Sequence, residues 1–267
     1  MAAIKVTVVG AAGRMGREVC KAVAGARDMD LVAAVDVQCA GEPVSALTGL
    51  QGCDLTISRS LPQAVERSKC HVAVDFTQPY SRLTNFKAIV AGGARPVIGT
   101  TGWTQADIEE ARRTCEQAGL GAVIAPNFAI GAVLMMRFAA VAARHMPSVE
   151  IIELHHDQKL DAPSGTANQT AQLVALERRA AGILASTPDG AGDSPARGLE
   201  YEGIRIHSVR LPGLLAHQEV LFGGLGQTLS VRHDSLSREC FMPGVLLACR
   251  KVMDLDGLVW GLDALLD

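Results

Sequence analysis

The sequence has few aromatic residues and no strong excess of either charge. Trp and Tyr occur only twice each among 267 residues, and Phe occurs six times. Aromatic side chains form the platforms on which single-stranded nucleic acids stack, so this composition argues against such a platform. A formal net charge of −3 gives no general attraction to nucleic acid or to an anionic membrane surface. We therefore expect neither a nucleic-acid partner nor a membrane partner.

The sequence also lacks a disulfide framework and long apolar runs. Its seven cysteines are scattered and include no Cys-x-x-Cys pair, a pattern typical of a reduced, cytosolic protein. No apolar run reaches the roughly 18 residues that a membrane-spanning helix needs. The amino terminus shows no basic segment followed by an apolar core and a cleavage site. We expect a soluble, cytoplasmic protein.

A glycine-rich turn lies between the first predicted strand and the first predicted helix. The β-branched run 4–9 leads into Gly10-Ala-Ala-Gly13-Arg-Met-Gly16, and an apolar helical segment follows at 15–24. Glycines let the backbone approach a pyrophosphate, which the start of the helix stabilises. Asp36 ends the next strand, where a carboxylate can accept from ribose hydroxyls. The pattern predicts a dinucleotide site, and a phosphate-free tight turn is the alternative.

The choice between NADH and NADPH stays open on these residues. Asp36 favours NADH because a carboxylate at this position binds the ribose 2′-hydroxyl. Arg14, inside the turn, offers a cation for the 2′-phosphate of NADPH, and Arg17 is the next nearest. Either arginine could instead be solvated on the face of the helix.

Further βα repeats follow, and several of their strands end in small polar residues. A buried strand at 71–77 precedes a helix at 81–90, and a strand from 96 ends in Gly99-Thr-Thr-Gly102. Thr104 is expected to cap a helix at 104–118 together with Asp107. A strand at 121–125 ends in Pro126-Asn-Phe128. Ligands of open α/β sheets bind at such strand ends, so this part is predicted to be an α/β domain with a Rossmann-type doubly wound parallel sheet.

The carboxyl-terminal half predicts a second, α+β domain built on an open mixed sheet. A helix at 131–145 carries a Met pair that we expect in a core or a subunit contact. Residues 187–203 predict a mobile loop, and strand-like runs at 204–210, 217–222 and 227–232 predict antiparallel additions to a strand at 149–155. A last helix at 241–252 is expected to return to the first domain. The predicted domains are 1–127 with 233–267, and 128–232.

One stretch, Glu153-Leu-His-His-Asp-Gln-Lys-Leu-Asp-Ala-Pro-Ser-Gly-Thr166, joins a histidine pair and a lysine to a predicted helix start. Pro163 and the small residues after it predict unpaired N–H groups that can stabilise an anion. His155 and His156 can face one ligand only if the strand ends there, because adjacent strand residues point to opposite faces. A solvated loop capped by Ser164 is the alternative. A metal site is disfavoured for the same geometric reason.

These motifs resemble those of the dihydrodipicolinate reductase family. The resemblance covers nearly the whole chain and rests on the glycine-rich turn, Val74-Asp-Phe-Thr77, Gly99-Thr-Thr-Gly102, Ala125-Pro-Asn-Phe128 and, above all, the stretch from Glu153 to Thr166. It implies a nicotinamide-dependent reductase of the diaminopimelate route to lysine. The implied substrate is a cyclic dicarboxylate, which receives a hydride from NADH or NADPH and is then protonated.

The resemblance also implies roles for single residues. His155 matches the proton donor or acceptor, and Lys159 matches a second, cationic donor. The implied substrate-binding residues are His156, Ser164, Gly165 and Thr166. The implied cofactor-binding residues are Gly10, Ala11, Ala12, Gly13, Arg14, Met15, Asp36, Gly99, Thr100, Thr101, Ala125, Pro126, Asn127 and Phe128. Family members assemble as tetramers, so a homotetramer is expected.

One position departs from the family pattern. Many relatives carry an arginine directly after the ribose-binding acid, and here that residue is Val37. We therefore expect use of NADH with NADPH tolerated. One alternative is another nicotinamide oxidoreductase, such as an amino-acid or semialdehyde dehydrogenase; the semialdehyde enzyme would need a cysteine at a strand end beside the cofactor loop. The other is a dinucleotide sensor, which would not need His155 and Lys159.

Overall fold

The structure is a computed structural model that describes residues 2–183 and 194–266. The chain divides into two units, one of residues 1–128 and 241–267 and the other of residues 129–240. The predicted boundary at 232 falls inside a strand that remains paired in the second unit to Ser235.

The first unit alternates strands and helices and resumes near the end of the chain. Its elements are β1 (Ile4–Val9), α1 (Arg14–Gly25), β2 (Met29–Val35), α2 (Val44–Thr48), β3 (Ile57–Ser58), α3 (Leu61–Ser68), β4 (Val72–Asp75), α4 (Arg82–Ala91), β5 (Arg95–Ile98), α5 (Gln105–Ala118) and β6 (Ala122–Ile124). The second unit contains α6 (Ile130–Ala143), β7 (Ser148–His155), α7 (Gly165–Ala180), β8 (Leu199–Tyr201), β9 (Ile204–Arg210), β10 (Ala216–Gly224) and β11 (Gln227–Ser235). The first unit then ends with α8 (Met242–Lys251) and β12 (Leu258–Trp260).

All seven described strands of the first unit form one parallel sheet, in the order β12-β6-β5-β4-β1-β2-β3. Its central strands are apolar on both faces, as a parallel sheet covered by helices requires; Val6, Val8, Val72 and Val74 have no exposed surface. Strand order reverses between β1 and β4, which is where ligands bind in doubly wound sheets. The predicted Rossmann-type fold is confirmed.

Helix α5 begins with the capping box that the sequence predicts. The Thr104 hydroxyl accepts the N–H of Asp107 at 3.2 Å, and the Asp107 carboxylate accepts the N–H of Thr104 at 3.0 Å. Two N–H groups that the helix cannot satisfy internally are thus paired. The helix consequently begins at the residue after Thr104.

The second unit is built on a mixed sheet in the order β11-β10-β7-β9-β8. Strand β10 pairs antiparallel with β7, but β9 pairs with β7 in parallel. The expectation that every added strand would be antiparallel is therefore wrong for β9. Helix α7 lies between β7 and β9 in the chain, and such a crossover lets the chain re-enter the sheet in the same direction.

Helices α6 and α7 cover one face of this sheet. Their small residues Ala139, Ala171 and Val174 pack against Ile151 of β7 and Ile206 of β9. The predicted core position of the methionine pair is confirmed, since Met135 and Met136 are buried.

The predicted loop at 187–203 is only partly described. Residues 187–193 lie outside the described residues. The rest does not form a continuous loop, because a short 3₁₀ turn occupies Pro195–Arg197 and β8 pairs antiparallel with β9.

In the described part of the chain, no helix combines the length and the apolar character needed to cross a bilayer.

Candidate active site

The glycine-rich turn after β1 folds tightly enough to exclude side chains at two positions. Gly10 has a φ of +80°, and a Cβ there would lie 2.9 Å from the carbonyl oxygen of Phe76. A Cβ on Gly16 would lie 2.0 Å from the carbonyl oxygen of Gly10. The start of α1 therefore packs directly on the turn, and Gly13 at its N-cap is exposed. This geometry fits a pyrophosphate bound at a helix start.

Asp36 connects this turn to the end of β2. One carboxylate oxygen accepts the N–H of Ala12 at 3.1 Å, and the other accepts the N–H of Gln38 at 2.9 Å. The acid predicted to bind the ribose thus also holds the turn against the neighbouring strand end.

A cavity of about 440 Å³ opens at the point where the strand order reverses. Four predicted cofactor residues line it: Gly10, Ala12, Gly13 and Asp36. The lining also includes residues that sequence reasoning did not assign to the site, namely Arg59, Ser60, Phe76, Thr77, Gln78 and Tyr80. Thr77 could have been chosen as a polar residue at a strand end. Arg59 follows a two-residue strand, which is too short to give a clear pattern.

The predicted residues at the end of β5 are positioned by a buried carboxylate. Asp75 has no exposed surface and accepts the Thr100 hydroxyl at 2.9 Å and both the N–H and the hydroxyl of Thr77 at 2.7 Å. Asn85 donates to its second oxygen at 2.9 Å. The side chain of Thr100 therefore fixes the loop, while Thr101 beside it is exposed.

The end of β6 packs against the same region. The rings of Phe76 and Phe128 lie 5.7 Å apart, and Gly99 leaves the space that the Phe76 ring fills, since a Cβ there would approach the ring to 2.1 Å. Ala125 donates its N–H to Ile98 at 3.0 Å. The remaining predicted cofactor residues lie near these strand ends or the turn but do not line the cavity: Ala11, Arg14, Met15, Pro126 and Asn127.

In the second unit, β7 ends at His155, and Glu153 two residues earlier lies on the same face. The Glu153 side chain has no exposed surface, and its Oε2 is hydrogen-bonded to Nδ1 of His155. Burial raises the pKa of Glu153, but hydrogen bonds from His155, Arg210 and Ser208 outweigh it and lower the pKa to about 2. An ionised carboxylate can only accept, so Nδ1 carries the proton. In the neutral ring, Nε2 of His155 is then the unprotonated nitrogen.

Arg210, at the end of β9, completes this arrangement. Its guanidinium donates to both oxygens of Glu153, at 2.7 and 3.0 Å, and to the carbonyl oxygen of Asp161 at 2.7 Å. The N–H of Ser164 donates to Glu153 at 3.3 Å. One buried carboxylate thus joins the strand end, the following loop and the start of α7.

Lys159 lies in that loop, paired with an acid. Its ammonium group donates to both carboxylate oxygens of Asp161, at 2.7 and 2.8 Å. This ammonium group lowers the pKa of Asp161. The Lys159 side chain is 21% exposed, whereas that of Asp161 is 61% exposed. The carboxylate that holds the ammonium group thus lies largely in solvent.

Helix α7 starts at Gly165, two residues after Pro163. Ser164 is the capping residue: it is buried, and its hydroxyl accepts the N–H of Ala167 at 3.2 Å. Gly165 is exposed at the first helical position, and its N–H has no acceptor in the described part of the chain. Thr166 follows in the same turn. His156, just past the end of β7, is half-buried and accepts the N–H of Lys159 through its carbonyl oxygen at 3.2 Å.

The structure therefore brings His155, Lys159 and the start of α7 together through Glu153, Arg210 and Asp161, none of which sequence reasoning assigned to the site. The sequence could have indicated Glu153, because it lies two residues before His155 and residues two apart on a strand share a face. Arg210 belongs to the region that resembles the family, but the sequence did not indicate its contact with Glu153, because that contact depends on the parallel pairing of β9 with β7. Among the described residues, no group of three or more His, Cys, Asp or Glu could hold a metal ion.

A parallel sheet with this glycine turn and acid, joined to a second unit presenting an imidazole, a lysine and a helix start, defines a nicotinamide-dependent oxidoreductase. The family model for the amino-terminal part of dihydrodipicolinate reductase matches residues 4–128, and that for the carboxyl-terminal part matches residues 131–266. The chain belongs to the dihydrodipicolinate reductase family.

Individual relatives are similar to this chain over nearly its full length. The 4-hydroxy-tetrahydrodipicolinate reductase of Halalkalibacterium halodurans is 50% identical over 265 residues, covering 99% of this chain and 100% of the relative. That of Moorella thermoacetica is 48% identical, covering 100% and 99%. A solved structure of dipicolinate-bound dihydrodipicolinate reductase from Paenisporosarcina sp. TG-14 superposes with a TM-score of 0.86 at 43% identity, covering 99% and 100%. The predicted family, enzyme class and reaction are confirmed.

Proposed function

We propose that this chain reduces 4-hydroxy-tetrahydrodipicolinate, or its dehydrated form, to tetrahydrodipicolinate with His155 and Lys159 as its proton-handling and charge-stabilising groups. The observation that carries this proposal is the hydrogen-bonded network from His155 through Glu153 and Arg210 to the loop that holds Lys159. A dicarboxylate substrate fits because the network ends at a lysine and at helix-start amides.

His155 supplies or receives the proton of the reaction at Nε2. Glu153 holds Nδ1 and so fixes both the ring orientation and the tautomer. An imidazole suits this task because its ordinary pKa lies near neutrality.

Lys159, His156 and the amides of Gly165 and Thr166 bind the substrate's two carboxylates. The ammonium group of Lys159 exchanges Asp161 for a substrate oxygen and then stabilises the negative charge that develops on the ring nitrogen. Ser164 contributes through its cap, which sets the direction of the first-turn amides. The dipicolinate bound to the Paenisporosarcina relative is itself a cyclic dicarboxylate.

The first unit would hold the cofactor with the glycine-rich turn, Asp36 and the loops after β5 and β6. NADH or NADPH, when bound, supplies the hydride. The bare turn fits such a group, because side chains at Gly10 or Gly16 would collide with backbone. Thr77 and Thr100, both tied to Asp75, hold the neighbouring strand ends in place.

The test is a coupled assay in which the upstream synthase supplies substrate and NADH absorbance is followed. Lys159→Ala should retain cofactor binding, measured by nicotinamide fluorescence, and lose turnover by on the order of 10²–10³-fold. A matched control, Lys87→Ala, removes a half-exposed lysine that pairs with Glu110 on the surface of the first unit, and should keep full turnover. Unchanged turnover in Lys159→Ala would contradict the assigned role.

We also propose that the chain is a homotetramer that works in the cytoplasm. Helices α6 and α7 cover one sheet face of the second unit, while Ile152, Leu154 and Leu221 on the other face are only half-buried. The seven cysteines are all free, as expected in a reducing compartment. Light scattering coupled to gel filtration tests the tetramer, and fractionation of cells tests the location.

A further inference from the structure

The described cavity of the first unit contains one cation whose role the reaction does not explain. Arg59 lines it beside Asp36, Val37 and Gln38. Its Nη2 atom donates to the carbonyl oxygen of Val37 at 3.3 Å, so the guanidinium lies over the chain directly after the predicted ribose-binding acid. Arg59 is exposed, and no carboxylate of the described residues lies within ion-pairing distance of it.

The other two candidate cations are placed differently. Arg17 donates through Nε to the carbonyl oxygen of Ala12 at 2.8 Å, and this bond holds its side chain on the turn. Arg14 starts α1, is exposed and does not line the cavity. The sequence alone indicates Arg14 as the main support for NADPH, because local spacing identifies only the cations near the turn.

The negative charge of Asp36 is also partly balanced. Both of its oxygens accept backbone N–H groups, from Ala12 and from Gln38. Asp36 therefore repels a nearby phosphate group less strongly than a carboxylate without hydrogen-bond donors would. The carbonyl of Val37 holds Arg59 without neutralising it, so its remaining donors can form a charge-assisted pair with an anion.

We propose that Arg59 is the residue that binds the 2′-phosphate of NADPH. This inference rests on the proposed function, since it requires the cavity to hold the adenosine end of the dinucleotide. It predicts that NADPH binds at least as tightly as NADH.

Direct binding separates this residue from the alternatives. Dissociation constants for NADPH and NADH are measured by nicotinamide fluorescence, and those for adenosine 2′,5′-bisphosphate and AMP by calorimetry. In Arg59→Gln the preference for the 2′-phosphorylated member of each pair should fall on the order of tenfold, the worth of one charge-assisted hydrogen bond. In Arg59→Lys this preference should fall less, because lysine keeps the charge but lacks the planar, forked guanidinium group.

One variant serves as a control, and a second tests the competing assignment. Arg67→Gln removes an exposed arginine of α3 that does not line the cavity, and its preference should equal that of the unsubstituted protein. Arg14→Gln tests the competing cation and should also leave the preference unchanged. The salt dependence of NADPH binding should weaken in Arg59→Gln alone.

The outcomes are distinct. Binding of both dinucleotides with an unchanged preference in Arg59→Gln would overturn the role of Arg59 and leave the proposed function standing. A loss of preference in Arg14→Gln instead would assign the 2′-phosphate to the turn and also overturn it. Failure of the unsubstituted protein to bind either dinucleotide would overturn the proposed function and this inference together.

Discussion

Glu153 is a buried charge whose partners all belong to the candidate active site. Replacing a charge in such a pair leaves the partner buried and uncompensated, which typically costs about 3–5 kcal/mol. The Glu153 carboxylate compensates the Arg210 guanidinium, which is 18% exposed, and receives Nδ1–H of His155. Replacing Glu153 should therefore lower both the catalytic rate and the stability. Replacing a similar carboxylate elsewhere on β7 should show how much of the rate loss comes from lost stability.

Glu150 provides that comparison. It lies on the opposite face of β7 and also pairs with one histidine and one arginine, His207 and Arg197. We expect Glu153→Gln to lower kcat by about 10²-fold, since general acid–base catalysis contributes about 10²–10⁴-fold and depends on the orientation of His155. The decrease in kcat should be far smaller in Glu150→Gln. Steady-state rates and urea unfolding of both variants test this.

Two results would count against the role of Glu153. Equal kcat losses in the two variants would show that Glu153 acts only through stability. A kcat loss without a change in the tautomer of His155, observed by nitrogen NMR, would show that the carboxylate does not orient the ring.

At the scale of elements, local patterns predicted most helices and strands of the first unit because their signals are short-range. The capping box of α5 and the glycine turn before α1 are set by residues within one or two turns of chain. Strand β12 was missed because it is three residues long and pairs with β6, more than a hundred residues earlier. The parallel pairing of β9 and the place of Arg210 likewise depend on register, which no local pattern encodes.

The start of α5 makes a pH-dependent contribution that can be measured. Hydrogen bonds from Thr104, then from Arg82, lower the pKa of Asp107 from 3.8 to about 2. Because the folded-state pKa is the lower one, the contribution is fully present above pH 3.8 and is lost as the pH falls towards about 2. We expect Asp107→Asn to cost about 1 kcal/mol near neutral pH, the worth of a helix cap.

The difference in unfolding free energy between Asp107→Asn and the unsubstituted protein should shrink over that acid range. Glu109→Gln, on the same helix, is the control, because among the described residues Glu109 makes one long ion pair, with Arg113 at 3.7 Å. A difference that stays constant on acidification would show that the cap, and not the charge, carries the effect.

At the scale of the whole chain, the first unit is assembled from two segments separated by the second. The helix α8 belongs to its core, with Val245, Ala248 and Cys249 fully buried. Strand β12 then pairs with β6, from Leu258 opposite Ala122 to Trp260 opposite Ile124. Sequence reasoning expected the last helix to return to this domain because its helix layer was incomplete, but the extra strand could not be inferred from that argument.

The two ends of the interruption lie close together, and this makes the first unit separable. A Cβ on Gly244 would lie 2.1 Å from the carbonyl oxygen of Phe128, so the backbones on either side of the second unit are in contact. A flexible linker of roughly six Gly and Ser residues should therefore replace residues 129–240. The spliced protein should unfold cooperatively in urea and bind NADH by fluorescence, but have no turnover. Residues 1–128 alone should not fold, because they leave the β6 edge and the α8 contact surface bare. Equal cooperativity and equal urea midpoints for the two proteins would contradict this, and would show that the amino-terminal segment carries the core without α8 and β12.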